Sequence, residues 1–226
     1  MKMKTLSMLA GVSAPLIATA SAPAGFLGIT AVSKPNEFGL ITVNVYANFD
    51  RPGEDFMQAV AGTELAPMLI QVQDGVFYNH VLGTDVAPLT ALIAVFPEVA
   101  FDTFVTIGVK AVGANGQPND LMTITPDFPT GITGTSLSTT LSGWAITPGS
   151  GADDPFNADY FAGNGSVLIG QFSTADGTGI GGTFLIQYIS NGRNEQSVVS
   201  FFAVPTPGAL ALLGVAGLVG TRRRRR

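Results

Sequence analysis

Alternation of apolar and polar side chains with a period of two is the feature that most constrains the fold of this chain. Residues 38–49 alternate over most of their length, with Ile41, Val43, Val45, Ala47 and Phe49 on one side and Thr42, Asn44, Tyr46 and Asn48 on the other. Such alternation is typical of a β-strand with one buried face, and residues 99–112 repeat it. The sequence therefore predicts that Val43 and Val105 are buried. Thr42 and Thr106 are expected on the opposite, exposed faces.

Turn-forming residues separate many short segments of strand character. Seven further strands are predicted, at 56–61, 68–73, 121–125, 143–147, 167–172, 183–189 and 197–202. Asn191-Gly192 accepts positive φ angles and is expected to close a tight hairpin between the last two. Asp74-Gly75 and Asn115-Gly116 mark turns in the same way, and only residues 87–95 favour a short helix. Many short strands and frequent turns predict an all-β fold, an antiparallel β-sandwich, with a β-barrel or jelly roll as the alternative.

The 226 residues divide into three parts: 1–24, a central body at 25–203, and a tail at 204–226. The body is long enough to form one domain with a full hydrophobic core. The chain has no cysteine, which excludes a disulfide scaffold, a thiolate zinc site and a cysteine nucleophile. Its single histidine excludes any site that requires two.

Charge is distributed unevenly between the body and the two ends. Of eleven basic residues, two lie at the start of the chain and five at its end, whereas all sixteen acidic residues lie in the body. The body therefore has four basic residues and a formal charge of −12. A body this acidic repels phosphate backbones, so nucleic acid is not expected as a partner.

The first 24 residues have the organisation of a secretory signal peptide. Lys2 and Lys4 precede an apolar stretch at 6–20, and small residues follow in Ala-x-Ala patterns that end at Ala20, Ala22 and Ala24. Export through the Sec translocon and cleavage by signal peptidase are therefore expected. Because a cut after Ala22 would leave Pro23 next to the cleaved bond, the mature chain is predicted to start at Ser21 or Gly25.

The tail has the organisation of a weak stop-transfer segment. A Pro-x-Pro motif precedes an apolar run at 209–220 and five terminal arginines. As a helix this run would reach only about 18 Å, short of a hydrocarbon core of roughly 30 Å. Flanking arginines mark the cytoplasmic side of a membrane. These features predict transient anchoring in the inner membrane before the tail is cleaved.

The tail resembles the PEP-CTERM sorting signal found in exported proteins of Gram-negative and planctomycete bacteria. The residues that carry the resemblance are Pro205, Thr206, Pro207, Gly208, the apolar run and the arginines Arg222, Arg223, Arg224, Arg225 and Arg226. Thr206 stands where the family has glutamate. The resemblance implies processing by an exosortase-like membrane protease and delivery to the cell envelope, the surface or the extracellular space. The body resembles uncharacterised secreted β-domains that carry the same tail.

Two patterns in the body are typical of functional sites, one of dinucleotide binding and one of catalysis, but each lacks the context that its function requires. Residues 177–182 satisfy G-x-G-x-x-G, but a strand rather than a helix is predicted to follow, so we interpret them as a glycine-rich hairpin loop. His80 is the only possible imidazole base, and the sequence has no G-x-S-x-G motif to accompany it. We therefore expect His80 to be a hydrogen-bonded surface residue, and the sequence predicts no catalytic residues.

Acidic residues cluster in the segment 153–159. Asp153, Asp154, Asn157 and Asp159 could supply oxygen ligands to a structural calcium ion, the only cofactor that the sequence suggests. The segment lacks the full EF-hand loop and its terminal glutamate. An acidic turn exposed to solvent is the alternative, and it is the one we favour.

The sequence leaves three functions open. The first is a non-enzymatic, exported surface or extracellular-matrix protein that is sorted through its tail. The second is a carbohydrate-binding module for an envelope or matrix polysaccharide, in which Trp144 would stack on a sugar ring. The third is a glycosidase that uses a pair of carboxylates.

Overall fold

The computed structural model describes residues 25–113, 122–129, 131–157 and 163–204, and these residues form an all-β, antiparallel fold. Eleven strands are present in the described ranges: β1 Phe26–Pro35, β2 Ile41–Phe49, β3 Phe56–Ala61, β4 Met68–Gln73, β5 Phe104–Val105, β6 Met122–Ile124, β7 Ser136–Thr139, β8 Gly143–Ile146, β9 Ser166–Thr174, β10 Gly179–Ser190 and β11 Arg193–Ala203. Helical structure there is limited to one α-helical turn, Thr90–Ile93, and one 3₁₀ helix, Pro97–Phe101.

The strands form two sheets. The first has four strands in the order β1-β2-β9-β5. The second has seven, in the order β6-β8-β3-β10-β4-β7, with β11 also paired to β10. β11 lies along nearly the whole of β10, so β3 and β4 share the opposite edge: β3 pairs with residues 185–189 and β4 with residues 179–183. β10 therefore joins pieces of the sheet that come from distant parts of the chain.

The two sheets enclose a common core, which gives a β-sandwich-like arrangement. Val43 and Val105 are both buried in this core, as the sequence predicts. At one end Phe26, Phe49 and Tyr188 form an aromatic cluster with ring centroids 5.1–5.8 Å apart. Burial of apolar area on this scale is the main source of stability for a fold with so little local helical structure.

Most predicted strands are confirmed within a few residues. The hairpin at Asn191-Gly192 is also confirmed: these residues have φ angles of 51° and 69°, and they connect Ser190 of β10 to Arg193 of β11. Two strands were not predicted. β1 follows in sequence the apolar and small residues that are interpreted as a leader. β7, Ser136–Thr139, is short and mostly polar. The helix predicted at 87–95 is reduced to Thr90–Ile93.

The long strand predicted at 99–112 is wrong. The segment begins in the 3₁₀ helix, contributes only the two residues of β5, and then continues irregularly. Residues 102–107 are all buried because the segment is covered on both sides: β5 pairs with β9, and Val105 also bonds to the loop at Asp85. The sequence thus alternates with a period of two here, although residues 102–107 are buried on both faces.

The exposure predicted for Thr42 and Thr106 is also wrong. Thr42 is 5 % exposed, and its hydroxyl lies 2.9 Å from the Ser173 hydroxyl on β9. Thr106 is fully buried, and its hydroxyl donates to the carbonyl of Val109. Both positions are polar but covered, because their hydroxyls find partners inside the fold.

The hairpin loop predicted at 177–182 is wrong, because β9 and β10 belong to different sheets and do not pair with each other. Gly179 is the first residue of β10, so only Gly177 and Thr178 belong to the connection. The ring of Phe202 covers Gly179 and Gly181 so closely that a Cβ would lie 2.9 Å and 2.7 Å from its atoms. The glycines therefore permit close packing between β10 and β11.

Three predictions concern residues outside the described ranges: the leader at 1–24, the sorting tail over its residues 205–226, and the turn at Asn115-Gly116. Within the described ranges, no helix has the length and apolar character needed to cross a bilayer.

Candidate functional site

The described members of the acidic segment at 153–157 use their side chains to hold a turn. The Asp153 carboxylate accepts hydrogen bonds from the amides of Gly149 and Gly151, at 2.7 and 3.0 Å. Asp154 accepts one from the amide of Phe156, and the Asn157 amide donates to the carbonyl of Gly151. Asp159 lies outside the described residues, and the part of the chain that is described contains no cluster of three or more metal-ligating acids or histidines. Asp153, Asp154 and Asn157 therefore hold a turn, in which Asp153 is buried rather than exposed to solvent.

Trp144 does not offer a ring face to a sugar. Its side chain is 1 % exposed, it packs edge-on against Phe128 at 5.7 Å, and its indole N–H donates to the carbonyl of Thr106 at 3.0 Å. It borders a depression of about 360 Å³ on the seven-stranded sheet without being exposed in it. The ring completes the core, so the sugar-stacking prediction for this residue is wrong.

His80 lies in a loop at one end of the sandwich, with its side chain only 12 % exposed. Its Nδ1 accepts a hydrogen bond from the amide of Leu82, and its Nε2 lies 3.6 Å from the Glu98 carboxylate. Tyr78 is close by, and burial, followed by the charges of Asp102 and Glu98, raises the pKa of its phenol. His80 is therefore hydrogen-bonded as predicted but is more buried than a surface residue.

Asp102 is the buried acid of this loop cluster. Its Oδ1 accepts a hydrogen bond from the amide of His80 at 2.8 Å, whereas Oδ2 has no partner and lies against the backbone of Gly83. Burial raises the pKa of this carboxyl to about 6, although hydrogen bonds from the amides of His80 and Thr103 act in the opposite direction. With 1 % of its surface exposed, Asp102 cannot reach a dissolved substrate, so we assign it to the packing of the loop.

The outer face of the four-stranded sheet is polar, and one half of it is covered. Gln171 on β9 donates from Nε2 to the carbonyls of Ala100 and Asp102, both at 2.9 Å, and the amide of Ser173 donates to the hydroxyl of Thr103. These bonds hold segment 97–110 across one side of the face. The other side remains open to solvent.

The open side forms a groove of about 520 Å³, which we call the outer-face groove. It is lined by Thr30, Val32, Lys34, Tyr46, Asn48, Gly108, Lys110, Asn164, Ser166 and Leu168. A neighbouring depression of about 300 Å³ shares Lys34 and Lys110 with it and adds Asn44, Phe101 and Glu37, among others. Side chains from β1, β2 and β9 alternate between core and groove, so the same strands build both.

Hydrogen bonds across three strands fix the floor of the groove. Asn48 Nδ2 donates to the carbonyl of Gly28 and the hydroxyl of Thr30 on β1, and its Oδ1 accepts from the Ser166 hydroxyl on β9 at 2.8 Å. Beside it, burial raises the pKa of the Tyr46 phenol. In the neighbouring depression, the buried Asn44 Oδ1 has no hydrogen-bond partner among the described residues. The floor of the groove therefore combines an aromatic ring with a fixed amide, and the unused acceptor lies in the neighbouring depression.

The groove is locally basic in an acidic body. Lys34 and Lys110 are two of the body's four basic residues, and neither forms an ion pair within the described ranges. Of the other two, Arg51 lies 3.8 Å from Glu54. Among the described residues that line the groove and its neighbouring depression, Glu37 is the only carboxylate. The described part of the lining therefore does not bring together the pair of carboxylates that a glycosidase uses.

Sequence reasoning identified the strand that carries Tyr46 and Asn48 but not their role in a site. The lysines of the groove are far apart in sequence, and Lys110 is placed beside Lys34 only because segment 97–110 folds over the outer face. The scarcity of basic residues in the body was the one signal that could have drawn attention to them.

Comparisons of the chain with protein-family models, with curated proteins and with solved structures found no match.

Proposed function

We propose that this protein is an exported, non-enzymatic surface or matrix protein whose body binds a polysaccharide in the outer-face groove. The groove carries this proposal because it is concave and its floor is fixed by hydrogen bonds, and ligand sites are usually concave and formed in advance. Tyr46 supplies a ring on which a sugar can stack. Beside it, Asn48 is held by Gly28, Thr30 and Ser166 and keeps the floor of the groove in place. Export is supported by the leader and by the tail that resembles a PEP-CTERM signal.

The two lysines favour a polysaccharide that carries carboxylates. An acidic polymer is repelled by the body as a whole, but the Debye length is about 8 Å at physiological ionic strength. Unpaired lysines inside the groove therefore dominate the local field. Binding should weaken as salt is added, because exposed charge pairs are screened.

The test is a binding measurement on the full chain, purified after export, with alginate as the acidic polymer and dextran as the neutral one. We expect alginate to bind more tightly than dextran. Replacing both groove cations, Lys34→Gln/Lys110→Gln, should weaken alginate binding by about tenfold, since two charged contacts of moderate strength are lost. Tyr46→Ala should weaken the binding of each polymer, alginate or dextran, that the parent protein binds.

The matched control is Arg51→Gln/Arg193→Gln, which removes the same charge from outside the groove. Binding should stay within about twofold of the parent protein. If both double variants lose affinity equally, net charge rather than the groove explains binding, and the proposal is wrong. Absence of binding to any member of a wider polysaccharide panel would also contradict it.

Sorting is tested separately on the tail. Replacing Arg222–Arg226 with glutamine should leave export intact but impair retention and tail cleavage, because the cationic stop is lost. Intact mass and cell fractionation report both steps. Unchanged mass and localisation would contradict the sorting proposal, and so would a block in processing caused by Thr206→Glu.

A further inference from the structure

Gly25 occupies a fixed and crowded position at the start of β1. Its carbonyl accepts a hydrogen bond from the amide of Asp50 at 3.0 Å, and Phe26 after it pairs with Phe49. Its φ angle of +132° is one that side chains rarely adopt. A Cβ at this position would overlap the Ser190 hydroxyl, so only glycine fits.

Gly25 also lies against the carboxylate of Asp55. A Cβ on Gly25 would lie 2.5 Å from Asp55 Oδ1. Because a backbone carbon–carbon bond spans about 1.5 Å, the Cα of Gly25 lies within about 4 Å of that oxygen. The nitrogen of Gly25 is one further bond away, within about 5.5 Å of that oxygen. Once its bond to residue 24 is cut, the nitrogen is no longer held by the preceding peptide unit, and rotation about the Cα–C bond of Gly25 can bring it into hydrogen-bond range while the carbonyl keeps its bond to Asp50.

Asp55 is a buried acid with an unused oxygen. The residue is 0 % exposed; Oδ2 accepts a hydrogen bond from the amide of Arg51, and Oδ1 has no partner among the described residues. The guanidinium of Arg51 lies beside Glu54 rather than Asp55. A carboxylate removed from water without a counter-charge is costly, so this position calls for a cation.

We propose that signal peptidase cleaves the Ala24–Gly25 bond and that the new α-ammonium group of Gly25 pairs with Asp55 Oδ1. In this step water adds across the peptide bond: its hydroxyl goes to the Ala24 carbonyl and a proton goes to the Gly25 nitrogen. The resulting α-amine takes up a second proton near neutral pH, since free α-amino groups have a pKa of about 8. The inference rests on the export proposed above and adds a start site and a structural role for it.

The geometry distinguishes the two start sites that the sequence leaves open. A chain starting at Ser21 would keep an amide at Gly25, which can donate a hydrogen bond but has no charge. A chain starting at Gly25 places a full positive charge beside the buried acid. Cleavage at Gly25 would therefore complete the fold as well as remove the leader.

The experiment expresses two complete chains, the parent and Ala22→Tyr, and recovers the product of each after export. Ala22→Tyr disrupts the Ala-x-Ala patterns that end at Ala22 and Ala24 and leaves the one that ends at Ala20, so its product should start at Ser21. Intact mass reports each start site. Asp55→Asn is then made in both chains, and Asp50→Asn, an exposed acid on the same turn, serves as the matched control.

We expect the parent protein to start at Gly25. Asp55→Asn should lower its melting temperature by roughly 4–8 °C, and that of the Ser21 chain by less than about 2 °C. Asp50→Asn should have the same small effect in both. The inference is overturned if the exported parent starts at Ser21, or if Asp55→Asn has equal effects in the two chains. A parent that retains residues 1–24 overturns both this inference and the proposed export.

A second measurement needs no variant. The α-amine of the exported parent should react with an amine-reactive ester at least about tenfold more slowly when folded than when unfolded in urea, since it is paired and partly enclosed. Equal rates would show that the amine is exposed and would overturn the inference.

Discussion

The two faces of the four-stranded sheet share one set of backbone hydrogen bonds and differ in almost everything else. The inner face carries Val43, Val45 and Ala47, all with no exposed surface. The outer face carries mainly polar side chains. One half of this face is covered by segment 97–110, and the other half lines the groove. Hydrophobic burial on the inner face supplies stability, so the outer face is free to carry polar groups for packing or for binding.

The largest effect should come from placing a charge on the inner face. Val43→Asp should reduce the free energy of unfolding by about 4 kcal/mol, because the carboxylate is buried without a partner. Thr30→Asp, on the exposed outer face of β1, should cost less than about 0.5 kcal/mol. Denaturant unfolding of both variants checks the comparison, and equal losses would mean that the two faces do not differ as described.

The covered half of the outer face should give the sandwich a dependence on pH. The pKa of Asp102 is raised from 3.8 to about 6, so between these values the unfolded chain loses a proton that the folded chain keeps. Stability from this group is complete below pH 3.8 and is lost as the pH rises through 6. Between pH 4 and pH 8 the loss should approach about 3 kcal/mol.

Asp102→Asn removes this titration. The free energy of unfolding of the parent, measured relative to that of the variant, should fall over this pH range, while Asp50→Asn should leave the profile of the parent unchanged. A constant difference between the parent and Asp102→Asn from pH 4 to pH 8 would contradict the assignment.

Removing the bonds that hold segment 97–110 should have a smaller effect. Gln171→Ala leaves the carbonyls of Ala100 and Asp102 without their donor, so we expect a loss of about 2 kcal/mol in the free energy of unfolding. Gln171→Glu keeps the size of the side chain but removes the donor, and it should be at least as damaging. Thermal unfolding of the two variants separates loss of packing from loss of hydrogen bonds; a neutral Gln171→Glu would show that the donor is unimportant.

The open half should tolerate changes best. Lys34→Gln and Lys110→Gln should each change the free energy of unfolding by less than about 0.5 kcal/mol, because both side chains are exposed. Calorimetry on the same preparations used for the polysaccharide measurements tests this. A loss of more than about 2 kcal/mol would mean that the lysines stabilise the fold, and their effect on binding could not be read as loss of contact.

The strands were predictable where one face is buried and the other is polar, as in β2 and β4, because the period of two reports which side meets the core. That logic failed for 99–112, where residues 102–107 are covered on both sides. It also failed for Thr42, which lies on the polar face but beneath other residues. The groove could not be predicted at all. It depends on which loop folds over which sheet, and that placement is set by tertiary bonds such as those of Gln171.

The order of strands within the sheets bears on when the chain can fold. Among the described strands, only β9 connects β5 to the β1-β2 pair, and only β10 connects the β3-β8-β6 group to the β4-β7 pair. Both connectors come from residues 166–190, after every piece that they join. Pairings between such distant residues form slowly because long loops must close first. A chain that emerges N-terminus first would present four separate groups of strands with unpaired edges. These groups could join into the two sheets only after the last third of the sequence has emerged.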